Sequence, residues 1–261
     1  MKVGFIQFDV KKNFEINFNI IEKHLENLKC DLIVLPELTL SGYLFKNKEE
    51  LKSKGIIIEK SQEIEKIKKL SEKFQCIMIL GIVERLEDKF YNTAIIISKG
   101  KYIGKYQKIH LSDFEKNFFE SGKENKVFDV DGVKIGVQIC FDLWFPEISR
   151  EQIREGADIL VALGNFGGET TANILPIRAI ENLTPIILCN RVGEENIIFN
   201  SESINAFFIG KSMVVDRDGK VLIEPKEKIE ISEVVDIKLK KEKSNIICKN
   251  FFEEIDFHYN K

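Results

Sequence analysis

Little in this chain would tie it together covalently or through a metal. Its 261 residues include five cysteines (Cys30, Cys76, Cys140, Cys189 and Cys248), odd in number, widely spaced and without a Cys-x-x-Cys pair. That pattern builds neither a disulfide framework nor a zinc site, and it fits a reducing compartment. Prolines number five, and no Gly/Ser tract or low-complexity stretch occurs. With no linker in view, residues 1–261 read as a single domain. No apolar run approaches the roughly 18 residues of a membrane span. The first residues already read as a strand, Val3-Gly4-Phe5-Ile6-Gln7-Phe8, which leaves no room for a signal peptide. Charge of either sign is not in excess: 39 basic against 42 acidic residues give a net −3. Without a basic stripe, nucleic acid and anionic membrane are excluded as partners. The expectation is a soluble cytoplasmic protein.

What is present alternates between two periods. Phe14, Phe18, Ile21, Leu25 and Leu28 recur at helical spacing behind Asn13, a good N-cap. Asp31 to Leu35 is a continuous apolar run of the buried-strand type. A second helix carries Ile64, Ile67, Leu70 and Phe74; strands follow at Ile77 to Val83, Ala94 to Ser98 and Tyr102 to Tyr106. Asp131-Gly132 between two apolar runs is a hairpin signal. The second half repeats this plan. A helix runs near Glu147 to Arg154, a buried strand over Asp158 to Leu163, and a helix with Ile174, Ile177 and Ile180 on its apolar face. Strands at Pro185 to Leu188, Ser212 to Val215 and Lys220 to Ile223 follow, the last two around the turn Asp216 to Gly219. Two related α/β halves packed together account for the echo. The lysine-rich runs at Lys66 to Lys69 and Lys238 to Lys241 read as solvated faces of a helix and a strand.

Three strand ends carry reactive side chains. Leu35-Pro36-Glu37 puts a carboxylate past one strand, Tyr106-Gln107-Lys108 an ammonium past another, and Ile139-Cys140 a thiol past a third. A lone cysteine is ordinarily a small buried hydrophobe. At the open end of a sheet, however, the backbone N–H groups of a turn favour thiolate and can hold an oxyanion. Ligands of α/β sheets bind at strand ends. A base, a cation and a thiol meeting there would make a hydrolytic site, although the spacing alone does not bring them together.

These segments resemble, in order and over nearly the whole chain, the signature of the nitrilase superfamily of carbon–nitrogen hydrolases. Leu35-Pro36-Glu37 with Gly42-Tyr43 matches the glutamate motif. Lys108-Ile109-His110-Leu111, with Phe118 to Gly122 after it, matches the lysine motif, and Cys140-Phe141-Asp142-Leu143-Trp144-Phe145-Pro146-Glu147 the cysteine motif. Leu175 to Asn182, Asn190 to Gly193 and Gly210-Lys211-Ser212 are similar to later family segments. The resemblance implies a four-layer α-β-β-α sandwich with two packed mixed sheets. It also implies a homodimer or higher homo-oligomer formed through the helices near Glu147–Arg154 and Thr171–Asn182. Glu37 corresponds to the general base and Cys140 to the nucleophile. Lys108 corresponds to the oxyanion-stabilising cation, aided by the backbone N–H of Phe141. No metal and no cofactor is implied. The family's second glutamate matches Glu115, with Glu120 the alternative.

The loop Gly164-Asn165-Phe166-Gly167-Gly168 lacks the spacing of a nucleotide-binding turn, and its place after a strand makes Asn165 a pocket residue. Tyr43 and Trp144 are pocket wall or core. His110 reads as structural, and His24 and His258 have no evident partner; no His-x-Glu pair follows Cys140, against a Cys-His-Glu glutaminase. The Cys-Phe-Asp and Phe-Pro-Glu sequences look like the amide-hydrolysing branches. The expected reaction is hydrolysis of a small carboxamide, with nitriles or N-carbamoyl amines as alternatives and a non-catalytic binding protein of the same fold as the alternative from another class. Two departures stand out. Gln138 replaces an apolar residue before the nucleophile, and the tail from Asn250 to Tyr259 lacks paired arginines.

Overall fold

The computed structural model describes residues 1–257 and residue 259. The chain opens with β1 (Lys2–Gln7), α1 (Phe14–Leu25) and β2 (Leu32–Val34). It continues through α2 (Lys48–Lys54), α3 (Gln62–Phe74), β3 (Ile77–Leu86), β4 (Lys89–Ser98) and β5 (Lys101–Gln107). The second half contains β6 (Val127–Val130), β7 (Val133–Ile139), α4 (Pro146–Arg154), β8 (Ile159–Gly164), α5 (Thr170–Asn182) and β9 (Ile186–Asn190). A hairpin of β10 (Val192–Phe199) and β11 (Glu202–Ile209) precedes β12 (Met213–Val215), β13 (Val221–Ile223), β14 (Ile231–Asp236) and α6 (Phe251–Asp256).

Two six-stranded sheets result, ordered β14-β1-β2-β3-β4-β5 and β13-β12-β9-β8-β7-β6. In each, three strands run parallel, β1-β2-β3 and β7-β8-β9, and antiparallel strands flank them. Near-continuous Ile/Val/Leu sequences mark strands buried on both faces. One face of each sheet meets the other sheet: Phe5, Val34, Ile79 and Ile96 pack with Val137, Ile139, Val161 and Ile187. The outer face of the first sheet is covered by α1 and α3 through Ile21, Leu25, Ile64, Ile67 and Leu70. That of the second is covered by α4 and α5 through Ile153, Leu175 and Ala179. This is the four-layer α-β-β-α sandwich with two packed mixed sheets. Each large aliphatic side chain so buried contributes about 1.5–3 kcal/mol.

Local chemistry sets the element ends. Asn13 and Ser61 accept hydrogen bonds from Ile16 N and Ile64 N at the starts of α1 and α3, and Pro146 opens α4. Four sequence expectations are corrected. α1 ends at Leu25, so Leu28 lies beyond it, packed on the core from a turn. β14 ends at Asp236, which leaves Lys238 to Lys241 outside any strand. The strand expected over Pro185 to Leu188 runs instead from Ile186 to Asn190. On α5 the buried face is Ala172, Leu175, Arg178 and Ala179, while Ile177 and Ile180 are 55% and 50% exposed. That helix is apolar on two faces. Arg178 can turn inward because its guanidinium donates to Leu143 O at 3.1 Å and pairs with Glu181 at 2.8 Å. Gln138 also finds partners: its amide donates to Ser149 Oγ at 2.8 Å and Gln152 Oε1 at 3.2 Å beneath α4.

Candidate active site

Because β4 alone of the first sheet's β1 to β5 runs the other way, β1, β2, β3 and β5 share a direction, as do β7, β8 and β9. Glu37 follows β2, Lys108 follows β5, Cys140 follows β7 and Asn165 follows β8. The carboxyl ends of these strands converge, and the side chains meet.

The centre is a buried ammonium between two carboxylates. Lys108 Nζ donates to Glu37 Oε1 at 2.8 Å and to Glu115 Oε1 and Oε2 at 2.7 and 2.9 Å. Asn92, on β4, bridges the same two acids, donating to Glu37 Oε1 at 2.6 Å and Glu115 Oε1 at 2.9 Å. Ser112 N adds a bond to Glu115 Oε2 at 2.9 Å. Glu37 Oε2 has no partner among the described residues and is the oxygen left for a proton. Burial pushes the Glu37 carboxyl up to about 7, with the Glu115 charge adding to the rise and Lys108 opposing it. Burial works in the same direction on Glu115, but Lys108 and the bonds from Ser112 and Asn92 hold it below the usual range. Lys108 is held well above its ordinary value: burial disfavours its charge, and Glu115 and Glu37 outweigh that cost. Two like charges in one site are thereby split, Glu115 ionised and Glu37 raised toward neutrality.

Cys140 sits on a left-handed backbone, φ 48°, at the head of a 3-10 turn spanning Cys140–Trp144. That region costs about 1–3 kcal/mol for a non-glycine residue and persists only when its surroundings fix it. Asp142 does the fixing. Its carboxylate accepts from Ile139 N at 3.0 Å, His110 N at 2.9 Å and Tyr106 Oη at 2.9 Å. Cys140 as a residue is half-buried. Burial, followed by the Glu37 charge, pushes its pKa up, while Lys108 and the Asn165 N–H act in the opposite direction. The resting group is therefore a neutral thiol beside a carboxylate.

Glu37 is placed by an unusually close approach. Leu38, the next residue, is also left-handed (φ 49°), and this turn presses on Gly81 of β3. A Cβ at Gly81 would lie 2.1 Å from Leu38 N, so only glycine admits the turn. Tyr43 stands half-buried beside Glu115, Lys108, Glu37 and the Cys140 thiol; burial and the Glu115 charge hold its phenol protonated. Its loop is anchored by Glu195, which accepts from Tyr43 N at 3.0 Å and Leu44 N at 2.8 Å and pairs with the buried Arg191.

Expected site residues thus separate clearly. Glu37, Lys108, Glu115 and Cys140 are together, with Tyr43, Phe141 and Asn165 around them; Trp144 is at the rim, 47% exposed, with its indole N–H on Thr171 Oγ1 at 3.1 Å. Glu120 is exposed and binds Phe90 O only through its backbone N–H. His110 stacks on Phe145 with ring centroids 3.6 Å apart and supports Asp142. His24 pairs with Ser232 Oγ, and His258 lies outside the described residues. No cluster of metal-ligating side chains occurs among the described residues.

The model of the family described as "Carbon-nitrogen hydrolase" matches residues 2–244. The chain belongs to this carbon–nitrogen hydrolase family. A "Nitrilase" of Pyrococcus abyssi is 32% identical over 243 residues, covering 90% of this chain and 89% of that protein. A "2-oxoglutaramate amidase" of Bacillus subtilis is 32% identical over 234 residues, 85% of each chain. The fold matches a crystal structure of a Helicobacter pylori carbon-nitrogen hydrolase with a TM-score of 0.83, at 24% identity, over 100% of this chain and 93% of that one. The protein is accordingly a carbon–nitrogen hydrolase. Asn92 and the Arg191–Glu195 pair escaped the sequence reading. The available signal for Asn92 was an amide inside a strand, where asparagine is disfavoured.

Proposed function

We propose that this hydrolase cleaves small carboxamides through a thioester on Cys140, releasing ammonia and a carboxylate. The observation that carries this reading is the single Lys108 ammonium shared by Glu37 and Glu115 beside a strained, neutral thiol. Glu37 takes the Cys140 proton as sulfur attacks the carbonyl carbon. The oxyanion is held by Lys108 and the Phe141 N–H. Collapse of the tetrahedral adduct breaks the C–N bond, and Glu37 returns the proton to the departing ammonia. Glu37 then deprotonates a water, which adds to the thioester; the carboxylate leaves and the thiol is restored. Glu115 keeps Lys108 charged and oriented. Tyr43, Phe141, Trp144 and Asn165 shape the acyl pocket.

Nitriles are the second reading, favoured by the resemblance to the P. abyssi protein named a nitrilase. Purified enzyme is incubated with amides, nitriles and carbamoyl amines, and ammonia and carbon dioxide are measured. Turnover of amides with an acyl mass increment on Cys140, absent in Cys140→Ala, is the expected result; turnover of nitriles alone overturns the amidase reading. The exposed Ile177 and Ile180 on α5 support a homodimer through this helical face. With no helix long and apolar enough to cross a membrane among the described residues, a cytoplasmic enzyme fits.

A further inference from the structure

The strand β4 sends an amide into the centre of charge. Asn92 stands opposite Val83 of β3 and is fully buried, where an apolar or β-branched residue would suit a strand better. Its backbone carbonyl accepts from Lys108 N at 2.8 Å, so the same residue anchors the start of the lysine loop. Its side chain donates to Glu37 Oε1 at 2.6 Å and Glu115 Oε1 at 2.9 Å. Lys108 Nζ reaches those same two oxygens at 2.8 and 2.7 Å. Two nitrogens and two oxygens thus alternate around a closed ring, with a charged donor at one corner and a neutral one opposite.

The partners decide which way the amide faces. Glu115 is held ionised by Lys108 and by Ser112 N, and an ionised carboxylate only accepts. Asn92 must therefore turn Nδ2 toward the acids, and both of its N–H groups are used on them. Its Oδ1 is left without a partner among the described residues. A buried acceptor left unpaired costs stability, so this position gives up stability for its two donors.

Those donors matter more to Glu37 than to Glu115. Glu115 Oε2 has Lys108 and Ser112 N as donors of its own, so both Glu115 oxygens are bonded. Glu37 takes its bonds from Lys108 and Asn92 on Oε1, and Oε2 has none among the described residues. An oxygen that already accepts two N–H bonds is a poor seat for a proton. With Glu37 ionised or neutral, Oε1 stays the acceptor and Oε2 is where a proton arrives and leaves.

We infer that Asn92 is a positioning residue: it keeps Glu37 Oε1 occupied, so that Oε2 alone exchanges the proton with Cys140 and the leaving nitrogen. This rests on Glu37 being the base proposed above and adds how one of its two oxygens is selected. By donating to the carboxylate, Asn92 also favours the ionised form and opposes the rise that burial imposes. The titratable groups around Glu37 are Lys108, Glu115, the Cys140 thiol and the Tyr43 phenol, and replacing Asn92 alters none of them.

The test replaces Asn92 by leucine, which is close to it in size, and by serine, which keeps at most one donor. Ammonia release from a neutral amide and alkylation of Cys140 by iodoacetamide are each followed across the pH range. Alkylation needs the thiol proton removed but no amide cleaved, so it reads the base apart from the hydrolase reaction. In both assays the acid limb should move upward, by about one pH unit in Asn92→Leu and in the same direction in Asn92→Ser. One unit below the limb this is about a tenfold loss, which closes as the pH rises. Removing the Glu115 charge, which raises Glu37, moves the limb the other way. A limb that stays in place or moves downward, or a loss equal at every pH in a variant with native circular dichroism, leaves Asn92 a packing role and overturns the inference. An upward alkylation limb without turnover of any amide sinks the amidase reading and leaves the role of Asn92 standing.

Discussion

Replacing Glu115 by glutamine removes one charge from the centre and should move the pH at which the base becomes available. Glu37 Oε1 and Glu115 Oε1 bind one ammonium at 2.8 and 2.7 Å. Tetrahedral nitrogen geometry sets them on the order of 4.5 Å apart, where two unit charges repel by about 4 kcal/mol at an effective dielectric of about 20. At about 1.4 kcal/mol per pKa unit this bounds the effect near two to three units, and relaxation will reduce it. The sign is fixed. Glu115 raises the Glu37 pKa, and with a neutral glutamine in its place Glu37 is the one carboxylate left on the Lys108 ammonium, which lowers it further. Below its pKa Glu37 is protonated and cannot accept the thiol proton. The acid limb of kcat/KM, expected near pH 7 in the unaltered enzyme, should therefore fall by at least about one unit in Glu115→Gln. The assay is ammonia release from a neutral amide across the pH range, with circular dichroism confirming an intact fold. A limb that stays put, or moves upward, refutes the coupling between the two carboxylates.

Lys108→Ala should lower kcat by about 10²–10³ through loss of the oxyanion donor, with the acyl increment on Cys140 lost in the same mass spectra. Gly81→Ala forces a Cβ to within 2.1 Å of Leu38 N, so Glu37 must shift; activity should fall about a hundredfold and stability by about 1–3 kcal/mol, read by kinetics and denaturant melts. Asp142→Ala strands the donors of Ile139, His110 and Tyr106 and should cost at least about 3 kcal/mol in the same melts, beyond any effect on turnover. If the proposed homodimer forms through α5, Ile177→Glu with Ile180→Glu should yield monomers on size-exclusion chromatography; an unchanged elution volume removes α5 from the interface.

Much of the layered fold follows from local pattern. Apolar runs such as Leu32 to Val34 and Ile159 to Gly164 can be buried on both faces only between layers, and the periodic helices supply the covers. Ordered motifs around Glu37, Lys108 and Cys140 likewise pointed to the carbon–nitrogen hydrolase family through their resemblance to its signature, whereas strand-end placement by itself did not bring the three together. Periodicity failed on α5, where isoleucines sit on one face and Leu175, Ala179 and a hydrogen-bonded Arg178 on the other. Composition cannot rank two apolar faces without knowing what each meets.

Other decisions belonged to tertiary structure. Glu115 and Glu120 are both acids in one loop, and only the path of that loop puts Glu115 on Lys108 and leaves Glu120 exposed. Asn92 joins the site from a strand with no motif of its own, through bonds to residues 55 and 23 positions away. The left-handed backbone at Cys140 depends on Asp142 being held by Tyr106 of the other sheet and by His110 in the loop after it. The sequence alone determined which chemical groups the protein brings and at which strand ends. Their charges and the poise of Glu37 were decided by packing, because burial and partner distance are properties of the assembled fold.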